Sequence, residues 1–124
     1  MSDEGDNDYY RIGSEQLAKH FGKERAEHMM NNLAEAYGFF AKVNVEFPFG
    51  AIYAREDILD FKTREIATIA ALTVLGHALP QLRIHIIAAL RSGTTREQVL
   101  EIITQMIAYA GFPAATNAIL TAQT

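Results

Sequence analysis

The stretch "LPQLRIHIIAALRSG", residues 79–93, carries a complete set of helix signals. Pro80 stands in what would be the first turn, where its missing N–H costs nothing, and Gly93 stands where the helix would end. Apolar side chains fill most positions between them, and one ionisable ring, His85, lies in their midst. The stretch predicts a helix, and it raises the question whether His85 is a packed core residue or an acid–base group.

The segments that flank this helix also have residues that mark a helix start and a helix end. In "LDFKTREIATIAALTVLG", residues 59–76, Asp60 is the expected N-cap and Gly76 the expected terminator. The expected apolar face of that helix consists of Ile66, Ile69, Ala70, Thr73 and Val74. In "TREQVLEIITQMIAYAG", residues 95–111, Thr95 and Gln98 have the spacing of a capping box, and Gly111 ends the helix. A last short helix is predicted from residue 113 onward.

The first half of the chain is predicted to hold two helices and a connector. A short helix is expected to start at Ser14 and to end at Gly22, and a longer helix to cover residues 23–43. The apolar positions of the longer helix recur every three or four residues, at Met29, Leu33, Ala36, Tyr37 and Phe40. Residues 45–57 contain Pro48 and Gly50 and read as a connector with a short helix at most. The aromatic residues around them either line a pocket or pack against another subunit.

No segment alternates with the period of two that marks a strand, so the sequence predicts an all-α fold of about six to seven helices. Short connections make the central helices antiparallel neighbours. A length of 124 residues fits one domain, expected over residues 10–124 after a disordered acidic tail at residues 1–9. The 49% of hydrophobic residues is high for so short a chain, which indicates subunit interfaces.

Charge and cysteine content exclude several classes of function. The net charge of −4 equals the charge of the four acids in the first eight residues, so the remainder is neutral and has no basic cluster for nucleic acid. The absence of cysteine excludes disulfides, thiolate metal sites and thiol redox chemistry. Neither a secretion signal nor a membrane span is expected, so a cytoplasmic protein is predicted.

Two interpretations of His85 remain open on the residues alone. A lone histidine among apolar neighbours is more often a core or interface residue, and an acid–base role requires a partner that orients the ring. Glu65 is the candidate partner, although a capping or salt-bridge role near a helix start also fits it. Simple antiparallel pairing offsets the two residues by about 9 Å at 1.5 Å per residue. Direct contact would therefore need crossed helices or a second subunit.

Other kinds of site receive weaker support from the residues. No His, Asp or Glu pair has a familiar metal-ligand spacing, so no metal is predicted, and no phosphate-binding loop or nucleotide cofactor is expected. Arg64 and Arg83 are candidates for binding an anionic substrate, with an exposed salt bridge as the alternative for each.

The chain resembles the carboxymuconolactone decarboxylase family. The resemblance rests on "EFPFGAIYAREDILDFKTREIATIAALTVLG" and "QLRIHIIAALRSGTTREQVLEIITQMIAYAGFPAATNAIL", and it extends from about Tyr10 to the C-terminal end. It implies a helical subunit of the alkylhydroperoxidase-D type in a ring-like homo-oligomer, with a hexamer expected and a trimer or dimer as alternatives. One branch of the family is a thiol peroxidase with a Cys-x-x-Cys motif. Here those cysteine positions hold Ala78 and Gln81, so peroxidase activity is excluded.

The other branch implies decarboxylation of 4-carboxymuconolactone or a related small lactone or oxo acid. This reaction needs no cofactor and belongs to aromatic-compound catabolism, in the β-ketoadipate pathway. The resemblance assigns His85 as general acid and Glu65 as the group that orients it. The implied candidates for binding the anionic substrate are Arg64, Arg83, Tyr109 and Asn117, of which the last two alternatively serve only helix packing. The rival interpretations are an enzyme with another substrate and a helical oligomer that binds a ligand or has a structural role.

Overall fold

The computed structural model describes the backbone of residues 2–123 and the side chains of residues 8–123. All regular secondary structure in residues 2–123 is helical, so the predicted all-α fold is confirmed. The chain divides into two units, Met1–Phe61 and Lys62–Thr124. The sequence predicts an acidic tail at residues 1–9 and one domain at residues 10–124. This division stays a prediction, because the described side chains begin only at residue 8.

The first unit contains three α-helices and a π-helix. They are α1 (Ser2–Phe21), α2 (Lys23–Ala36), α3 (Gly38–Asn44) and the π-helix (Val45–Tyr53). Gly22, with φ 93°, separates α1 from α2 as the sequence predicts, but α1 already runs through Ser14, where a helix start was expected. The predicted long helix over residues 23–43 is interrupted at Tyr37, whose backbone is extended at φ −165° and ψ 109°. Gly38 directly after it is a signal that could have revealed this break.

The π-helix replaces the connector that the sequence predicts. Its nine residues include Pro48 and Gly50, two residue types that usually interrupt helices. The backbone of this segment packs closely on α1 because each of the two elements has a glycine at the contact, Gly13 in α1 and Gly50 in the π-helix. A Cβ added at Gly13 would collide with the backbone oxygen of Val45, and a Cβ added at Gly50 would collide with the backbone of Tyr9. Tertiary packing against α1 therefore stabilises a helical conformation that local sequence preferences oppose.

Aromatic side chains form much of the core of the first unit. Phe21 lies edge-on to Phe49, with ring centroids 5.7 Å apart, and edge-on to Phe61 at 6.3 Å. Leu17 and Val45 are also buried in this unit. Edge-to-face ring pairs of this kind contribute about 0.5–1.5 kcal/mol beyond their buried area.

Five helices follow in the rest of the described residues, up to residue 123. They are α4 (Phe61–Leu75), whose first residue belongs to the first unit, α5 (Leu79–Arg91), α6 (Arg96–Gln105), α7 (Ile107–Ala110) and α8 (Phe112–Gln123). The predicted terminators Gly76, Gly93 and Gly111 all have positive φ, from 81° to 106°. Pro80 lies in the first turn of α5, as predicted.

The buried side of α4 differs from the expected one. Ile69 and Thr73 are buried as predicted, whereas Val74 is 44% exposed. The buried positions recur every four residues, at Phe61, Glu65, Ile69 and Thr73. A carboxylate thus occupies a core position of α4, a placement that hydrophobic periodicity alone does not predict.

The core of the second unit is aliphatic. Helix α8 packs against α5, α6 and α7. The buried side chains that meet there are Ile69, Leu82, Ile86, Ala89, Val99, Ile103, Ala115 and Ala118. No helix in the described part of the chain is both long enough and apolar enough to cross a bilayer.

The capping box of α6 provides a stability prediction. The Thr95 hydroxyl accepts a hydrogen bond from the Gln98 backbone N–H at 3.0 Å, and the Gln98 side chain accepts one from the Thr95 N–H at 2.9 Å. Thr95→Ala removes the first bond, so the free energy of unfolding is expected to fall by about 1 kcal/mol in urea denaturation. Thr104→Ala is the matched control, because its exposed hydroxyl bonds only to the preceding turn. An equal effect of both substitutions would contradict the capping role.

Candidate active site

Glu65 and His85 form a direct hydrogen bond inside the second unit. The Nδ1 atom of His85 lies 2.7 Å from Oε2 of Glu65. The Glu65 side chain is fully buried, and 16% of the His85 side chain is exposed. An ionised carboxylate can only accept, so the geometry fits Nδ1–H donating to Glu65, with Nε2 as the second ring nitrogen.

This contact differs from the separation that simple antiparallel pairing predicts. In that pairing Glu65 and His85 are offset by about 9 Å along the helix axes, at a rise of 1.5 Å per residue. The two side chains instead meet within one chain, without a second subunit. Helices α4 and α5 are therefore not paired in the simple register that was assumed, and sequence separation alone could not reveal this.

Glu65 also has an unsatisfied oxygen. Its Oε1 atom is buried and has no hydrogen-bond partner among the residues that the structure describes. A buried polar atom without a partner costs about 1–3 kcal/mol, so a stability role for this carboxylate is a weak explanation. A buried carboxylate that holds a partly exposed imidazole is the arrangement that orients a general acid or base.

The other candidate substrate-binding residues do not gather around His85. Arg83 and Asn117 line an open cleft of about 530 Å³, together with residues of α5 and α8 such as Leu79 and Leu120. Arg83 precedes His85 by two residues on α5, which turns its side chain by about 200° to the opposite side of the helix. Within one chain this cleft is therefore separate from the Glu65–His85 pair.

The remaining two candidates have different environments. Tyr109 is 74% exposed, so it does not line a closed site within the chain. Arg64 is half-buried and directly precedes Glu65 on α4. Of the proposed cations, Arg64 is the one nearest to the pair along the sequence.

Comparison with known proteins identifies the family. Residues 39–124 match the sequence model of the Carboxymuconolactone decarboxylase family. The chain belongs to this family. It is 30% identical over 113 residues to a protein named 4-carboxymuconolactone decarboxylase from Acinetobacter baylyi, a match that spans 91% of this chain and 83% of that protein. The resemblance inferred from the sequence is confirmed.

The name of a second relative of this carboxymuconolactone decarboxylase family member states no activity. It is named "Uncharacterized 15.0 kDa protein in nqo9-nqo10 intergenic region" and comes from Paracoccus denitrificans. The identity is 44% over 80 residues, which span 64% of this chain and 59% of that protein. The matched stretch thus covers less than two thirds of that relative.

A second histidine–carboxylate pair, which the sequence does not indicate, lies in the first unit. Nε2 of His20 is 3.4 Å from Oε2 of Glu56, and the Gln16 side-chain N–H donates to the same oxygen at 3.1 Å. The His20 ring is 92% buried and stacks on Phe61, with ring centroids 3.6 Å apart. His20 and Glu56 are 36 residues apart, so no motif spacing could have indicated their contact.

The pKa of Glu56 reflects these neighbours. Burial alone would raise the pKa of this carboxyl, but the hydrogen bonds from Gln16 and His20 and the charge of Lys19 outweigh it, and the pKa lies below its ordinary value of 4.5. The two hydrogen bonds and the positive charge favour the ionised carboxylate, as an ion pair would. No three His, Asp or Glu side chains in the described part of this carboxymuconolactone decarboxylase family member form a group that could hold a metal ion.

A pH-dependent stability difference follows from the lowered pKa of Glu56. The folded state favours the ionised form of Glu56. The contribution of this carboxylate to the free energy of unfolding is therefore fully present above pH 4.5 and is lost as the pH falls below 4.5 through the lowered pKa. Glu56→Gln is expected to reduce the free energy of unfolding at pH 7 by about 0.5–1 kcal/mol, since the carboxylate is partly exposed. This deficit should shrink as the pH falls below 4.5.

Urea denaturation at a series of pH values measures this difference. The exposed neighbour Asp57 supplies the matched control Asp57→Asn. A deficit for Glu56→Gln that stays constant across the pH series would show that the Glu56 charge does not contribute to stability.

Proposed function

We propose that this protein is a cofactor-free carboxy-lyase that decarboxylates 4-carboxymuconolactone or a related small lactone or oxo acid in aromatic-compound catabolism. The observation that carries the proposal is the hydrogen bond between the buried Glu65 and the partly exposed His85. Membership of the family and the relative named 4-carboxymuconolactone decarboxylase support the same reaction class. The chain contains no cysteine and so lacks the thiols that peroxidase chemistry in this superfamily would use.

The reaction requires an acid and a place for negative charge. When the C–C bond to the carboxylate breaks, CO₂ leaves. The electron pair of the broken bond stays with the substrate and enters the conjugated system that ends at the lactone carbonyl oxygen. The resulting dienolate takes up one proton on carbon and becomes the product lactone. In this proposal His85 donates that proton from Nε2, and water returns a proton to His85 afterwards. General acid catalysis of this kind contributes about 10²–10⁴-fold in rate.

Glu65 acts in this proposal as the positioning residue for His85. The 2.7 Å contact fixes the ring orientation and leaves Nε2 as the ring nitrogen that can reach a substrate. Glu65 has no exposed surface and so is proposed to act through His85 rather than on the substrate.

Substrate binding in this proposal involves more than one subunit. Arg64 is proposed to bind the substrate carboxylate next to the Glu65–His85 pair. Arg83 and Asn117 lie in the cleft on the other side of α5, so they would contact a substrate at His85 of a neighbouring subunit. Tyr109, which is 74% exposed, is proposed to donate to the lactone oxygen from a neighbouring subunit in the same way.

We therefore propose a cytoplasmic homo-oligomer, with a hexamer as the expected form. Exposed apolar side chains support assembly, since single chains rarely leave so many large ones in water. The most exposed aromatic residues are Tyr37, Phe39, Phe40, Phe47, Tyr109 and Phe112, each between 57% and 74% exposed.

The assembly can be tested with one charge substitution. Phe40→Glu places a carboxylate on the exposed aromatic surface of α3, so it is expected to reduce the molecular mass in light scattering after size exclusion by at least half. Gln105→Glu, at an exposed and non-aromatic position of α6, adds the same single negative charge and is the control. A wild-type protein that elutes as a monomer would contradict the oligomer, and a trimer or dimer would correct its size.

A direct assay tests the proposed reaction. Purified protein is mixed with 4-carboxymuconolactone, and CO₂ release and the product lactone are measured together by trapping and by NMR. Catalysed release of one CO₂ per lactone formed is the expected result. A folded protein that accelerates CO₂ loss from neither 4-carboxymuconolactone nor related lactones and oxo acids would favour the rival function, a helical oligomer that binds a ligand or has a structural role.

A further inference from the structure

The first unit contains a cavity that the proposed reaction does not use. Its volume is about 430 Å³, within the range of small-molecule sites in proteins. Side chains from α1, α2, α3 and the π-helix line it. None of its lining residues is among those proposed for catalysis or substrate binding.

The lining combines an apolar side with charged groups. Met30, Ala34, Ala41 and Val45 provide the apolar side. The polar lining consists of Tyr10, Arg11, Asn31, Lys42 and Glu46. An apolar cavity with a few convergent polar groups is the usual form of a site for a small organic molecule.

Glu46, one of the lining residues, has one carboxylate oxygen with a hydrogen-bond partner in the described part of the chain and one without. Its Oε1 atom accepts a hydrogen bond from Lys42 at 3.1 Å. Its Oε2 atom is buried and has no hydrogen-bond partner among the residues that the structure describes. A buried carboxylate oxygen without a donor is costly, so it favours a ligand that brings an O–H or N–H group to it.

The charges of the lining favour a ligand with a carboxylate. Arg11 and Lys42 contribute two positive charges against the single negative charge of Glu46. Arg11 also contacts Asp8 at 3.6 Å and Glu15 at 3.5 Å, but all three side chains are at least 60% exposed. Such exposed pairs are weak and leave the guanidinium able to bind a carboxylate.

We propose that this cavity binds a small carboxylic acid that also carries a hydrogen-bond donor, such as a single-ring hydroxy acid. The carboxylate contacts Arg11 and Lys42, the donor reaches Oε2 of Glu46, and the ring packs on Met30. This site is independent of the proposed decarboxylation, because it needs neither His85 nor Glu65.

The site can be tested with three related probes and the full-length protein. The first is 3-(4-hydroxyphenyl)propionate, which has both groups. The second, 3-phenylpropionate, lacks the hydroxyl, and the third, 4-ethylphenol, lacks the carboxylate. Calorimetric titration is expected to give the tightest binding for the first and about tenfold or more weaker binding for the second, because a hydrogen bond to a charged group is lost. Equal affinity for the first two, or no binding of the first at millimolar concentration, would overturn the proposal.

Labelled methionine methyl groups report where the probe binds. The chain has four methionines, of which Met30 lines the cavity, Met29 does not, and Met106 belongs to the second unit. The ¹³C methyl signal of Met30 is expected to shift during titration with 3-(4-hydroxyphenyl)propionate, while the signal of Met106 stays unchanged. A shift of Met106 without a shift of Met30 would place the binding elsewhere and refute the site.

Two substitutions complete the test. A Cβ added at Gly38 would meet no atom within 4 Å, so Gly38→Leu introduces a side chain at the cavity lining without a backbone clash and is expected to weaken binding at least tenfold. Glu46→Gln replaces a charged acceptor with a neutral group, so the preference for the hydroxylated probe should shrink to a few-fold. Glu27→Gln, at an exposed position of α2 outside the cavity, is the matched control. Unchanged affinity and preference in both cavity variants would contradict the proposal.

Discussion

Replacing His85 with alanine is expected to reduce the rate of CO₂ release from 4-carboxymuconolactone by about 10²–10⁴-fold, because a positioned general acid contributes a factor of this size. Because the substitution leaves the fully buried Glu65 carboxylate without the imidazole that it bonds, the free energy of unfolding is expected to fall by about 3–5 kcal/mol, so kcat is measured at a temperature at which the variant is folded. The measurement is kcat by CO₂ trapping, with the thermal unfolding midpoint recorded on the same sample.

A second histidine supplies the matched control for this prediction. His77 is exposed and lies between α4 and α5, so His77→Ala removes an imidazole without touching Glu65. Its kcat should equal that of the wild type. Equal rates for His85→Ala and the wild type would remove His85 from the mechanism, whatever the activity of the protein.

Glu65→Gln separates orientation from charge. The amide keeps an oxygen that can accept from Nδ1 of His85, but it loses the charge that makes the hydrogen bond about twice as strong. Its kcat is therefore expected to lie between the values of the wild type and His85→Ala. A rate equal to that of the wild type would show that the Glu65 charge does not act through His85.

Gly50→Ala is expected to destabilise the protein by about 3 kcal/mol, at the upper end of the usual effect of overpacking. The added methyl group would collide with the backbone of Tyr9, which cannot move aside as a flexible side chain can. Relief of the clash requires α1 and the π-helix to separate. The change in the free energy of unfolding is measured by urea denaturation at one fixed protein concentration.

Gly38→Ala is the control for the loss of a glycine. A Cβ at position 38 meets no atom within 4 Å, so this substitution should be neutral or stabilise the protein by up to about 1 kcal/mol. If Gly50→Ala proved as mild as Gly38→Ala, the close packing of α1 on the π-helix would be wrong.

Local signals in the sequence predicted most helix ends correctly. Gly76, Gly93 and Gly111 each end a helix with positive φ, and the Thr95–Gln98 capping box forms as its spacing indicates. These features depend on residues within one turn of each other, so the local sequence is enough to predict them.

Features that depend on distant residues were not predictable in the same way. The π-helix forms where the sequence indicates a connector, because Gly13 and Gly50 let α1 approach its backbone. The contact between Glu65 and His85 depends on how α4 and α5 pack, which periodicity does not specify. His85 remained ambiguous on the sequence alone because its neighbours are apolar, and its partner is visible only in the structure.

The π-helix also limits how the length of this chain can change during evolution. Deletion of one residue between Val45 and Gly50 would bring Ala51 to the point where α1 passes, and its methyl group would meet the obstacle that a Cβ at position 50 meets. One inserted residue would likewise move the glycine out of the contact. Functional homologues are therefore expected to keep the number of residues in this segment constant and to confine insertions and deletions to other parts of the chain.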